Sequence, residues 1–84
     1  MNTFFALMAE YGTAQIPVEK CARLFGLSPK KAEEYAGRQQ LPIPAFRVGS
    51  QKSPWLVDAG QLASHLDEAK QRAHDDWTKV RLQK

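Results

Sequence analysis

The sequence predicts a mainly α-helical domain with a small β-hairpin, built as a winged helix-turn-helix followed by a long C-terminal helix. Three observations predict it. Val18 to Gly37 carries small and apolar residues at the offsets that two steeply crossed helices require. β-prone residues flank the turn cluster Gly49-Ser50-Gln51-Lys52-Ser53-Pro54, which marks a hairpin. From Asp58 onward, Leu62, Leu66, Ala69, Ala73, Trp77 and Val80 recur at steps of four, three, four, four and three, the spacing of one helix face.

Residues 1–12 form an N-terminal apolar segment. Thr3 to Tyr11 (TFFALMAEY) is ended by Gly12. Thr3 can cap a helix, and Ala, Leu, Met and Glu favour one, while a strand stays open for the first half. Residues 17–38 form the helix-turn-helix. Pro17 opens a first helix, PVEKCARLF, with Val18, Cys21, Ala22 and Phe25 on one face. Gly26 stops it by taking the positive φ that a sharp turn needs. Ser28-Pro29 then caps and starts a second helix that decays around Gly37. Ala22 is small enough for the helix crossing, and Cys21, Phe25, Leu27, Ala32 and Tyr35 close a miniature core. The competing reading of this stretch is an unrelated helix–Gly–helix corner.

Leu41-Pro42-Ile43-Pro44 cannot be helical and reads as an extended linker. Residues 43–57 form the hairpin wing, with arms Ala45–Val48 and Trp55–Val57. Trp55 is assigned to the core, in the arm facing the long helix. Residues 58–84 form that helix, about 36 Å long for some 24 residues at 1.5 Å each.

The 84 residues allow a single domain with one modest core. A composition of 43% apolar and 25% charged residues is that of a folded domain, not a disordered tail. Cys21 is the sole cysteine, so no intrachain disulfide forms and no zinc cluster is available. His65 and His74 are about 14 Å apart along one helix, too far to share a metal ion. No basic leader and no membrane-length apolar run is present, so a cytoplasmic protein is expected, with no membrane partner. No carboxylate pair, Cys-His pair or phosphate-cradling loop suggests an enzyme, and no cofactor is implied.

Net charge is +3, and its distribution is informative. Glu19 to Lys52 holds seven bases (Lys20, Arg23, Lys30, Lys31, Arg38, Arg47, Lys52) against three acids (Glu19, Glu33, Glu34), whereas five bases balance five acids from Ser53 onward. An excess confined to the middle third suits a face presented to polyanionic phosphate. The second helix presents Ser28, Lys30, Lys31, Glu34 and Arg38 outward, with Ala32 and Tyr35 inward. Ser28 and the helix N-terminus suit a phosphate oxygen, and Lys30 and Lys31 can reach guanine edges or phosphates. Glu33 or Glu34 could accept from cytosine N4, but intrahelical pairing of Glu34 with Arg38 is the stronger reading. Arg47, Ser50, Gln51, Lys52 and Ser53 suit a wing laid along phosphates or in a minor groove, against the alternative of an ordinary polar turn.

At LPIPAFRVGSQKSPWLVDAGQLASHLDE the sequence resembles the pyocin activator family of phage-derived regulators in pseudomonads. The opening MNTFFALMAEYGTAQIP and the run IPAFRVGSQKSPWLV are similar to that family as well. The resemblance covers nearly the whole chain and implies a transcriptional activator of bacteriocin or phage genes that binds boxes in promoter DNA. It also implies a fold close to phage excisionases and the winged helices of MerR-type regulators. Ser28, Lys30, Lys31 and Arg38 of the recognition helix and Arg47, Ser50, Gln51, Lys52 and Ser53 of the wing are the matching positions. The recognition helix is the least family-like part, so base specificity does not carry over. RNA polymerase is a candidate further partner. An excisionase-like architectural protein that bends DNA, and a phage protein-interaction module, are the alternatives.

Two apolar segments exceed what the domain needs. Phe4 and Phe5 near the start, with Ala73, Trp77 and Val80 on the distal helix, are candidates for self-association as a homodimer or a cooperative oligomer on DNA. Return of Trp77 onto Phe4 or Phe5 of the same chain is the alternative.

Overall fold

The computed structural model describes residues 2–82. Asn2 starts the first helix, α1 (Thr3–Tyr11), by accepting a hydrogen bond from the Phe5 N–H at 2.9 Å. The cap thus falls one residue before Thr3. Gly12 ends the helix at φ 72°. Helix is therefore the state of the whole apolar segment.

A strand follows that the sequence pattern does not announce. β1 (Gln15–Pro17) pairs antiparallel with β2 (Leu56–Asp58), with Ile16 opposite Val57 and both fully buried. Pro17 closes β1 and caps the next helix instead of heading it. That helix is α2 (Val18–Cys21), and it tightens into a 3-10 turn over Ala22–Phe25. Gly26 then stops the chain at φ 73°. Helix α3 (Pro29–Gly37) begins on Ser28, whose hydroxyl accepts from the Lys31 N–H at 3.2 Å. Cys21, Ala22 and Ala32 are buried at the crossing, with Phe25, Leu27 and Tyr35 partly buried around them.

The expected pairing of Ala45–Val48 with Trp55–Val57 is confined to one bridge. Phe46 and Leu56 exchange both backbone hydrogen bonds, at 2.9 and 2.8 Å. In an antiparallel ladder the next such pairs lie two residues away, at Val48 with Pro54 and at Pro44 with Asp58. Each contains a proline, which has no N–H to donate. The ladder therefore stops, and β2 completes its bonding with β1 across its other edge. The result is a two-stranded antiparallel sheet with a loop, residues 47–55, projecting beyond the bridge.

Between α3 and that loop the chain is extended but not free. Leu41, Ile43 and Ala45 are buried while Pro42 and Pro44 face out, the two-residue period of a strand with one face on the core. Gln39, at φ 54°, fixes this segment: its side-chain amide donates to the Ala45 carbonyl at 3.0 Å and accepts from the Ala45 N–H at 3.3 Å.

Helix α4 (Ala59–Leu82) starts where the Asp58 carboxylate accepts from the Gln61 N–H at 3.0 Å. Ala59, Leu62 and Ala63 are buried, and Leu66 packs on the core. Thr3 at the start of α1 donates to Asp67, and the Ala59 N–H donates to the Ala14 carbonyl just after α1. The two helices therefore run antiparallel. Beyond Ala69 every described residue of α4 except Thr78 is exposed, and the molecule is elongated, 56 × 27 × 17 Å. No helix among the described residues is long and apolar enough to cross a membrane.

Candidate nucleic-acid interface

Ala32 and Ala36 are fully buried, so the opposite face of α3 stands clear of the domain. On it lie Lys30, Lys31, Glu34 and Arg38, with Ser28 at the N-terminal end. Only Glu34 is half-buried, and its carboxylate meets Lys31 Nζ at 3.8 Å. The expected Glu34–Arg38 pair is replaced by this i,i+3 contact, because Arg38 sits past the end of α3 at φ −97° and no longer follows the helical face.

The loop 47–55 joins the same surface. Trp55 is partly buried against the core, as expected, and lies beside α3. A methyl group at Gly37 would lie 3.8 Å from the indole Nε1, so the ring covers the last turn of α3. That distance is ordinary van der Waals contact, so the approach does not depend on a glycine at this position. The guanidinium of Arg47 lies over the indole, 4.2 Å from the ring centre. A contact of this kind contributes about 0.5–1 kcal/mol at an exposed site and holds an otherwise free cation in place. At the loop tip, Ser50 accepts from the Lys52 and Ser53 N–H groups, at 3.3 Å through its hydroxyl and 3.0 Å through its carbonyl. Gly49 adopts φ 106°. Gln51 and Lys52 are exposed.

Between loop and helices lies a cleft of about 490 Å³, lined by Glu19 of α2, Glu33 of α3 and Arg47, Gln51, Lys52, Ser53, Pro54 and Trp55 of the loop. The wing candidates Arg47, Gln51, Lys52 and Ser53 thus share one cleft wall, opposite two carboxylates. Ser50 is outside that lining. The sequence reading missed the involvement of Glu19 and the role of Trp55 in docking the loop on α3.

Ion pairing sorts the seven bases of the middle third. Arg23 meets Glu10 at 2.8 Å, and Lys31 meets Glu34. Lys20, Lys30, Arg38, Arg47 and Lys52 form no ion pair with a described residue. Of these, Lys30 lies on α3, Arg38 at its end, and Arg47 and Lys52 on the loop beside it. The self-association candidates lie elsewhere: Phe5, Trp77 and Val80 are exposed, Ala73 is exposed, and Phe4 is partly buried against the core. Trp77 does not return to Phe4 or Phe5; it stacks on His74 and Arg81 of its own helix.

A short helix, a Gly turn, a second helix and a strand-bridged loop docked on it define a small winged helix-turn-helix domain. The chain belongs to the family described as pyocin activator protein PrtN, whose family model matches residues 3–73. The matched region spans all elements up to the middle of α4, in agreement with the resemblance read from the sequence. The chain is therefore placed among regulators that activate pyocin genes. No curated protein and no solved structure matches it.

Proposed function

We propose that the chain activates pyocin genes by binding duplex DNA in their promoters sequence-specifically. In this reading α3 enters the major groove and the loop 47–55 follows the adjacent backbone or minor groove. One observation carries the proposal: Trp55 lies beside Gly37, which brings the loop bearing Arg47 and Lys52 next to the helix that carries Lys30 and ends at Arg38, and none of these four forms an ion pair with a described residue. Ser28 and the Lys30 N–H at the α3 N-terminus offer a phosphate site beside them. Lys31 and Lys30 are the candidates for base edges. Lys52 and Arg47 are the candidates for phosphate, with Ser50, Gln51 and Ser53 as neutral donors. Glu33 and Glu34 restrict phosphate approach to the rim of the surface, which favours one orientation on the duplex.

Titration of the full chain with promoter duplexes from pyocin genes, at several salt concentrations, tests this. Lys52→Ala should weaken all sequences about equally and lower the salt slope by roughly one unit. Lys31→Ala should cost about 1–3 kcal/mol on the native box and relax preference at one base pair. Affinity for the native box unchanged in both variants would show that the binding face lies elsewhere. Binding without salt dependence would support a protein-interaction module instead.

A further inference from the structure

The distal half of α4 is the least explained part of the molecule. Lys70 to Leu82 makes no contact with the rest of the domain that buries a side chain, yet Ala73, Trp77 and Val80 continue the apolar stripe that buries Leu62 and Leu66 proximally. Trp77 is 55% and Val80 69% exposed. From His74 onward this segment lies outside the residues that the family model matches. We propose that it pairs antiparallel with the same segment of a second copy of this chain.

Four features point to that occupant and that direction. Helix α1 covers the proximal stripe, runs antiparallel to α4, and stops at the level of Asp67, where Thr3 meets it. An antiparallel distal half from a second copy prolongs α1 along the same stripe. Its C-terminal end then approaches the N-terminus of α1, a favourable head-to-tail arrangement of helix dipoles. A parallel partner is sterically barred, because two α1 helices would have to fit between the paired α4 helices at the level of Leu62 and Leu66. Size also matches: in the antiparallel register that sets Trp77 against Ala73 of the second copy, a large ring faces a small residue twice by symmetry. The same register brings Arg81 within one helical turn of the Asp67 of the second copy. Asp67 and Glu68 stand at one end of the stretch and Arg81 at the other, with Lys70, Arg72, Asp75, Asp76 and Lys79 between them, so antiparallel overlay brings Arg81 to the acidic pair at each end. The contact is short, about 20 Å of helix at 1.5 Å per residue, so modest affinity is expected.

Sedimentation velocity of the full chain over a concentration series tests the proposal, with circular dichroism to confirm that each variant folds. A concentration-dependent dimer is expected, and Trp77→Ala should raise its dissociation constant at least about tenfold. Arg81→Glu should weaken the dimer, and adding Asp67→Arg should restore it, since the exchanged pair meets again only across an antiparallel interface. A monomer throughout the series overturns the proposal. So does a dimer that Trp77→Ala leaves intact, or one that the double exchange fails to restore.

Discussion

Gly26 and Cys21 stand at opposite ends of one helical stretch and are held by different physics. Gly26 adopts φ 73°, and a methyl group built on it meets nothing within 4 Å. Any penalty there comes from the backbone alone, without a steric clash. Gly26→Ala should therefore cost about 1 kcal/mol, and Gly26→Val somewhat more, because a β-branched residue is poorer still in the left-handed region. Urea titration measures both. Equal stability of Gly26→Val and the parent would mean that the turn has another conformation. Cys21 is fully buried, and burial pushes its thiol from the ordinary 9.0 to about 11. Between those values the unfolded chain releases a proton that the folded chain keeps. Stability is therefore intact below pH 9, falls as pH rises, and levels off above about 11, a loss of about 3 kcal/mol. Cys21→Ala should remove that component of the pH slope. Parallel slopes for the two proteins would show that the thiol titrates alike in both states.

At the scale of elements, Ser28 separates folding from binding. Its hydroxyl caps α3, and the same N-terminus is the proposed phosphate site. Ser28→Ala should cost about 1 kcal/mol of stability through the lost cap. Ser28→Asp keeps an acceptor and adds a charge that the helix dipole favours, so stability should hold or rise while affinity for duplex DNA falls. Loss of affinity in proportion to stability in both variants would assign Ser28 a capping role only. The Ser28 cap and the Gly26 turn were legible in the sequence because each depends on residues within four positions, whereas the α1 cap falls on Asn2 and not Thr3, and Pro17 caps α2 instead of heading it. β1 was not: Gln15-Ile16-Pro17 is too short to alternate, and its partner lies some forty residues away. The break between α2 and the 3-10 turn was equally hidden, since Ala22 and Phe25, three residues apart, stay on one side under either helical period. The hairpin was legible in place but not in extent. Prolines 44 and 54, visible from the start, are what restrict it to the Phe46–Leu56 bridge.

The whole molecule divides into a packed head and a projecting helix, and that division was half legible. The apolar stripe from Leu62 to Val80 is continuous in sequence, so periodicity marks the helix but not the point where the domain stops covering it. The structure places that point near Ala69, with α1 ending beside Asp67. Beyond it the side-chain contacts are internal to the helix: Gln71 donates to Asp75, Thr78 to the His74 carbonyl, and Trp77 stacks on His74 and Arg81. None of these supports the head. A chain ending at Ala73 should therefore unfold within about 0.5 kcal/mol of the parent, as expected when only exposed residues are removed. The comparison belongs at a concentration where the parent is monomeric, because self-association stabilises the folded state by mass action. Ending the chain at Ala63 instead removes Leu66, which packs on the core, and Asp67, which accepts from Thr3. That truncation should cost about 2 kcal/mol or more. If the chain ending at Ala73 keeps its stability and its affinity for a single DNA box but loses occupancy of repeated boxes, the distal helix serves assembly. A stability loss of more than about 2 kcal/mol at Ala73 would instead place Trp77 and Val80 against the head in solution.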